Sequence, residues 1–168
     1  MTDELVRAAE RELSAHGAFE PRDDGFAVTT TPFEAAVSVE EANGGVDFLV
    51  QVSVPTIDVA VAGEEVAPVV REGWFETFER RLEDVDGALY ASVDEPLVSL
   101  RAESVEVEAG FHSSRPPQGV EDAKALVDYV EGTYMEGIIP GYDYDEPVAG
   151  LLDRAANRSG AEDGLPPL

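Results

Sequence analysis

Residues 33–54 read FEAAVSVEEANGGVDFLVQVSV, and this stretch decides the fold. Phe33, Ala35, Val37 and Val39 alternate with Glu34, Ala36, Ser38 and Glu40, the period of a half-buried strand. Asn43-Gly44-Gly45 follows, a turn built from residues that tolerate positive φ. Val46, Phe48, Val50, Val52 and Val54 then point one way and Asp47, Gln51 and Ser53 the other, with Leu49 as an exception. The result is an antiparallel hairpin with the strongest strand of the chain as its second arm.

The pattern extends in both directions. Upstream, Phe26, Val28 and Thr30 predict a strand from residue 25, broken by Pro32. Downstream, Pro55 interrupts, and Ile57, Val59 and Val61 predict a short strand at 57–61. Helical spacing appears three times. Leu5, Ala9 and Leu13, with Val6 beside them, predict a helix over 3–16 stopped by Gly17. Val70, Trp74, Phe78 and Leu82 predict one over 66–85, with Pro68 in its first turn and Gly87 at its end. Val120, Ala123, Val127, Val130 and Tyr134, widened by Leu126 and Tyr129, predict one over 119–136. Before this third helix, 88–93 and 97–109 read as a hairpin turning at Asp94-Glu95-Pro96, with a loop at 110–118. Val98 and Leu100 keep one parity and Val105, Val107 and Ala109 the other, which predicts a bulge near Glu103-Ser104.

The order is helix, three or four strands, helix, hairpin, helix. It indicates an α+β domain around an antiparallel sheet. One domain is expected over residues 1–146, with a short helix at 148–157 and a mobile acidic tail completing 147–168.

The 168 residues hold 36 acids against 11 basic residues, a net charge of -25, and the bases are ten arginines and the single Lys124. With 43% hydrophobic residues the chain still has material for a core. A surface rich in carboxylates and poor in lysine suits concentrated salt, where a Debye length of roughly 3 Å silences like-charge repulsion. Nucleic-acid binding is not expected, because no basic patch exists beyond Arg80-Arg81. No apolar run is long enough to span a membrane and no signal peptide is read, so a cytoplasmic protein is expected. There is no cysteine.

Motifs for chemistry are sparse. His16 and His112 are the only histidines; His112 precedes Ser113-Ser114, but no Gly-x-Ser-x-Gly elbow accompanies them. Phosphate loops and His-Glu-x-x-His are absent. Ser113, Ser114 and Arg115 ahead of a helix start near Gly119 offer an anion subsite, opposed by Glu121 and Asp122. Asp143, Asp145 and Glu146 are hard oxygen donors of the type that calcium or magnesium takes, without a calcium-loop spacing. Ile138, Ile139, Tyr142 and Tyr144 lie among Gly and Pro, and read either as a partner-docking loop or as a strap folded back over the sheet.

With Gly17 after the first helix and the 88–109 hairpin before the last, the element order resembles the type III secretion chaperone-like fold over roughly residues 3–136. It also resembles the layout of sensory-transduction-regulator-like proteins. At the level of sequence the chain resembles an uncharacterised family of small acidic haloarchaeal proteins. The chaperone-like resemblance implies partner binding, often as a homodimer, without chemistry, and it carries over no site residue. The expectation is therefore a non-enzymatic protein-interaction module, adaptor or chaperone-like, with a protein partner or a second copy and no cofactor. The alternative is a small hydrolase or ligand-binding domain using acidic residues and a divalent cation.

Overall fold

The computed structural model describes residues 2–162. It is an α+β fold built on a six-stranded, wholly antiparallel sheet in the order β1-β2-β3-β4-β7-β6. The strands are β1 (Phe19–Arg22), β2 (Gly25–Val28), β3 (Glu34–Ala42), β4 (Gly45–Pro55), β6 (Leu97–Leu100) and β7 (Ser104–Ser113). A separate pair joins β5 (Val61–Ala62) to β8 (Asp143–Tyr144). The helices are α1 (Thr2–Ala15), the single turn α2 (Ile57–Ala60), α3 (Pro68–Leu82), α4 (Pro116–Glu136) and α5 (Val148–Glu162).

The β3–β4 hairpin forms as its sequence dictates. Ala42 pairs with Gly45 across a two-residue turn in which Asn43 and Gly44 take φ of 36° and 77°. Val46, Phe48, Val50, Val52 and Val54 are all buried, and their partners across β7 are Ser113, Phe111, Ala109, Val107 and Val105. Burying each large apolar side chain contributes about 1.5–3 kcal/mol, so this central pair of strands is a substantial part of the core. Helices α1 and α4 cover this face of the sheet, and α3 packs on α4. Ala9 and Leu13 bring α1 down, while Val120, Ala123, Leu126, Val127, Val130 and Tyr134 bring α4 down. Gly119 makes the close approach possible: a Cβ there would enter the Phe48 ring.

Four local expectations are corrected. Residues 57–61 are not a strand; the chain turns once as α2, burying Ile57 and Ala60 three apart and leaving Val59 exposed. The parity change after Leu100 is not a bulge but the turn of the β6–β7 hairpin, closed by the Arg101 amide on the Ser104 carbonyl at 2.8 Å. Asp94-Glu95-Pro96 is not that hairpin's turn, because Val93 and Leu97–Leu100 lie along the same side of β7, opposite Phe111 and Glu108–Val105. The 110–118 loop shrinks to two residues, since β7 runs to Ser113 and α4 starts at Pro116, with prolines in its first turn. Strand β1 had no forecast, and the helix after residue 147 extends to Glu162. The first part of the tail expected after residue 157 is therefore helical, and the rest lies outside the described residues. Among the described residues no helix is long and apolar enough to cross a membrane.

Candidate functional site

With the helices on one side, the opposite face of the sheet is open. Its pattern follows from the register: Ala27 lies opposite Ala36, Ser38 opposite Leu49, Glu34 opposite Ser53, and Ser53 opposite Glu106. Small side chains at Gly25, Ala27 and Ala36 leave a groove of about 920 Å³ between the β1–β2 turn and strands β3, β4 and β7. Four carboxylates line it, from Asp23, Asp24, Glu34 and Glu106, and Arg22 is its one cation among the described residues. Arg22 is itself 3.4 Å from the Glu20 carboxylate on the exposed surface. The Ser53 hydroxyl donates to Glu106 at 2.6 Å and fixes that carboxylate over the floor.

A second hollow, about 480 Å³, lies farther along the same face and contains His112. His112 Nδ1 is 2.9 Å from Asp47 Oδ1, its directly opposite neighbour on β4. The pair orients the imidazole, but the residues that follow His112 do not serve it. The Ser113 hydroxyl instead donates to the Arg115 carbonyl at 3.0 Å and accepts the Arg115 amide at 3.2 Å. That local ring also occupies the group read as an anion subsite. Its other element, Gly119, is packed under Phe48. His16 lies elsewhere, with Nδ1 accepting the Ala18 amide at 3.1 Å, which places the proton on Nε2 toward Glu121 at 3.0 Å.

The segment read as docking loop or strap packs on the helical side. Ile138, Ile139, Tyr142 and Tyr144 are all half-buried against the core. The Tyr144 hydroxyl accepts the Ile139 amide at 3.0 Å and donates to the Ile139 carbonyl at 2.9 Å, stapling the segment into a loop. Burial raises the Tyr144 pKa above its ordinary value, so the phenol keeps the proton it donates. The loop is held down by β8 on β5 and by the Asp145 amide on the Ala60 carbonyl at 2.8 Å. Gly137 lets the chain cross Trp74, whose buried indole N–H has no partner among the described residues. Asp143 and Asp145 are exposed, and Glu146 turns back to accept the Gly150 amide at 3.2 Å. Among the described residues, no group of three such side chains converges as a metal site.

Two polar centres had no warning in the sequence. Buried Asp122 accepts the amides of Tyr90 and Ala91 at 2.9 and 3.0 Å, anchoring to α4 the chain that leads into β6. Arg71 donates from Nε to Asp58 at 2.8 Å and from Nη2 to the carbonyls of Arg101 and Ala102 at 2.9 and 3.1 Å. Burial opposes the charge on Asp58. Even so its pKa lies below the ordinary carboxylate value, because the hydrogen bond and charge of Arg71, with the backbone amide of Asp58 itself, outweigh that cost. Both centres join elements far apart in sequence, so spacing carries no trace of them.

No curated protein and no solved structure matches the chain. The model of DUF5813, a family of unknown function, matches residues 14–154, and the chain belongs to that family.

Proposed function

We propose that the chain is a protein-interaction module without chemistry of its own, adaptor or chaperone-like in manner, and that it holds an extended basic segment of a partner protein along the open face of its sheet. The groove beside the β1–β2 turn carries this reading. It is long, floored by small side chains, and rimmed by four carboxylates against one arginine. Arginine and lysine side chains alternating along an extended peptide would meet those carboxylates while the backbone lies over Ala27 and Ala36. Calorimetry with a synthetic peptide of alternating Arg and Thr, about ten residues long, tests it. In about 1 M potassium chloride diffuse attraction is screened within roughly 3 Å, so heat of binding reports contact. Binding that Asp24→Lys with Glu34→Lys weakens tenfold or more is expected. No binding, or equal binding by the variant, overturns the proposal.

The same reading places the protein in concentrated salt, as in a haloarchaeal cytoplasm. The support is the charge of -25 with a single lysine, Lys124, whose ammonium is itself tied to Asp128 at 2.7 Å. Thermal unfolding followed by circular dichroism should show a midpoint that climbs steadily between about 0.1 M and about 4 M potassium chloride. A midpoint that is flat or falls over that range contradicts this setting.

A further inference from the structure

The sheet has two edges, and they are finished differently. At β1 the outward-facing positions are Phe19 and Pro21, since Ala18 and its alternates bond toward β2. The Phe19 amide donates to the His16 carbonyl at 3.2 Å, and Pro21 has no amide to offer. Glu20 and Arg22 add charge, so β1 presents no free donor and is closed to a further strand.

Within β6 itself none of these protections occurs; the proline and the charges, Pro96, Glu95 and Arg101, lie only at its flanks. The bond from the Arg101 amide to the Ser104 carbonyl sets the alternation, which turns the amides of Val98 and Leu100 away from β7. Neither amide has a hydrogen-bond partner among the described residues. The strand reads Leu-Val-Ser-Leu, four uncharged residues in a chain of net charge -25. Leu97 is 66% exposed and Leu100 37%. The turn that ends the strand is held rigid by Arg71 on the carbonyls of Arg101 and Ala102.

We infer that β6 pairs antiparallel with β6 of a second copy of this chain, joining two sheets into one across a two-fold axis at Val98. The flanks of the strand identify the occupant. Asp94-Glu95 precedes it and Arg101 follows it. With Val98 opposite its own copy, each Val98 exchanges both backbone bonds with the other, and the Leu100 amide donates to the carbonyl of Pro96 in the other copy. Arg101 then faces the other copy's Glu95 at both ends, and the apolar positions Val98 and Leu100 extend the helix-covered face across the junction. A register centred on Leu100 loses that charge match. The groove is centred on the β1–β2 turn, β2 and β3 and reaches β7 only at Glu106 on the open face, whereas the pairing uses the backbone edge of β6, so a dimer of this kind leaves both grooves open and does not depend on what fills them.

Light scattering on the full chain tests this, with circular dichroism to confirm folding. Wild type is expected at twice the mass of one chain at about 100 µM, a concentration that populates even a weak micromolar dimer. Val98→Pro removes an outward amide that serves no bond within the chain, and is expected to give a folded monomer. Arg101→Glu, at an exposed side chain, is expected to weaken the dimer tenfold or more, and adding Glu95→Arg to it restores the dimer. If Val98→Pro fails to fold, Arg101→Glu and its rescue decide. A monomeric wild type, or a dimer that Val98→Pro (if folded) or Arg101→Glu leaves intact, overturns the inference. Neither result bears on peptide binding at the groove, which calorimetry reads separately.

Discussion

Tyr134→Ala is expected to cost about 4 kcal/mol, a large share of the roughly 5–15 kcal/mol that holds a domain together. Tyr134 is fully buried where α3, α4 and the sheet meet. Its ring packs edge-on to Phe33, Trp74 and Phe78 at 5.0, 5.7 and 6.0 Å, and its hydroxyl donates to the Pro55 carbonyl at 3.0 Å. Truncation opens a cavity among rings that α3 and α4 fix in place, and it orphans the carbonyl. Urea unfolding followed by circular dichroism measures the loss; a change below about 1 kcal/mol would mean that the ring cluster does not hold the helices. The phenol also makes stability depend on alkaline pH. Burial pushes its pKa far above the ordinary value of 10.0, so the unfolded chain gives up this proton before the folded chain does. The stabilisation is complete below pH 10 and declines above it by about 1.4 kcal/mol per pH unit. Tyr134→Phe should remove that much of the alkaline slope, which urea unfolding at a series of pH values would read.

Asp122→Ala should cost about 3 kcal/mol, because the amides of Tyr90 and Ala91 would lose a charged acceptor. Asp122→Asn keeps one accepting oxygen but turns its NH2 toward the other amide, a donor facing a donor, and should cost nearly as much. Amide hydrogen exchange distinguishes this account from a general loss of stability. Tyr90 and Ala91 should exchange faster in Asp122→Ala, out of proportion to amides in β4. Uniform acceleration across the sheet would show that Asp122 is only one core residue among others.

The fold was legible where local pattern and tertiary packing agree. The β3–β4 hairpin combined alternation, broken only at Leu49, with an Asn-Gly turn; the inward residues of β4 are all buried, as are Phe33 and Val37, while Ala35 and Val39 are half-buried against the core. The sequence also separated the polar face, through Asp47, Gln51 and Ser53, which is the face the helices leave open. Misreadings arose where one local signal has two structural causes. A parity change marks a bulge or a two-residue turn, and at Ala102-Glu103 it is the turn. Alternating Ile57, Val59 and Val61 fits a strand, yet burial of Ile57 with Ala60 makes it a helical turn. Phe19-Glu20-Pro21-Arg22 has almost no strand propensity and becomes β1 through pairing with β2 alone. The groove was not legible at all, since its depth arises from Ala27 standing opposite Ala36, a fact of register and not of spacing. The finer resemblance to chaperone-like folds remains part of the proposal.

The most direct test of an open-face interaction module is to map where a basic peptide lands. Backbone amide chemical shifts of labelled protein, titrated with the Arg-Thr peptide in about 1 M potassium chloride, should move at Gly25, Ala27, Ala36, Ser38, Gln51 and Ser53, and should stay still on the outer surfaces of α1 and α4. Shifts spread evenly over the acidic helices, or absent from those six amides, would contradict it.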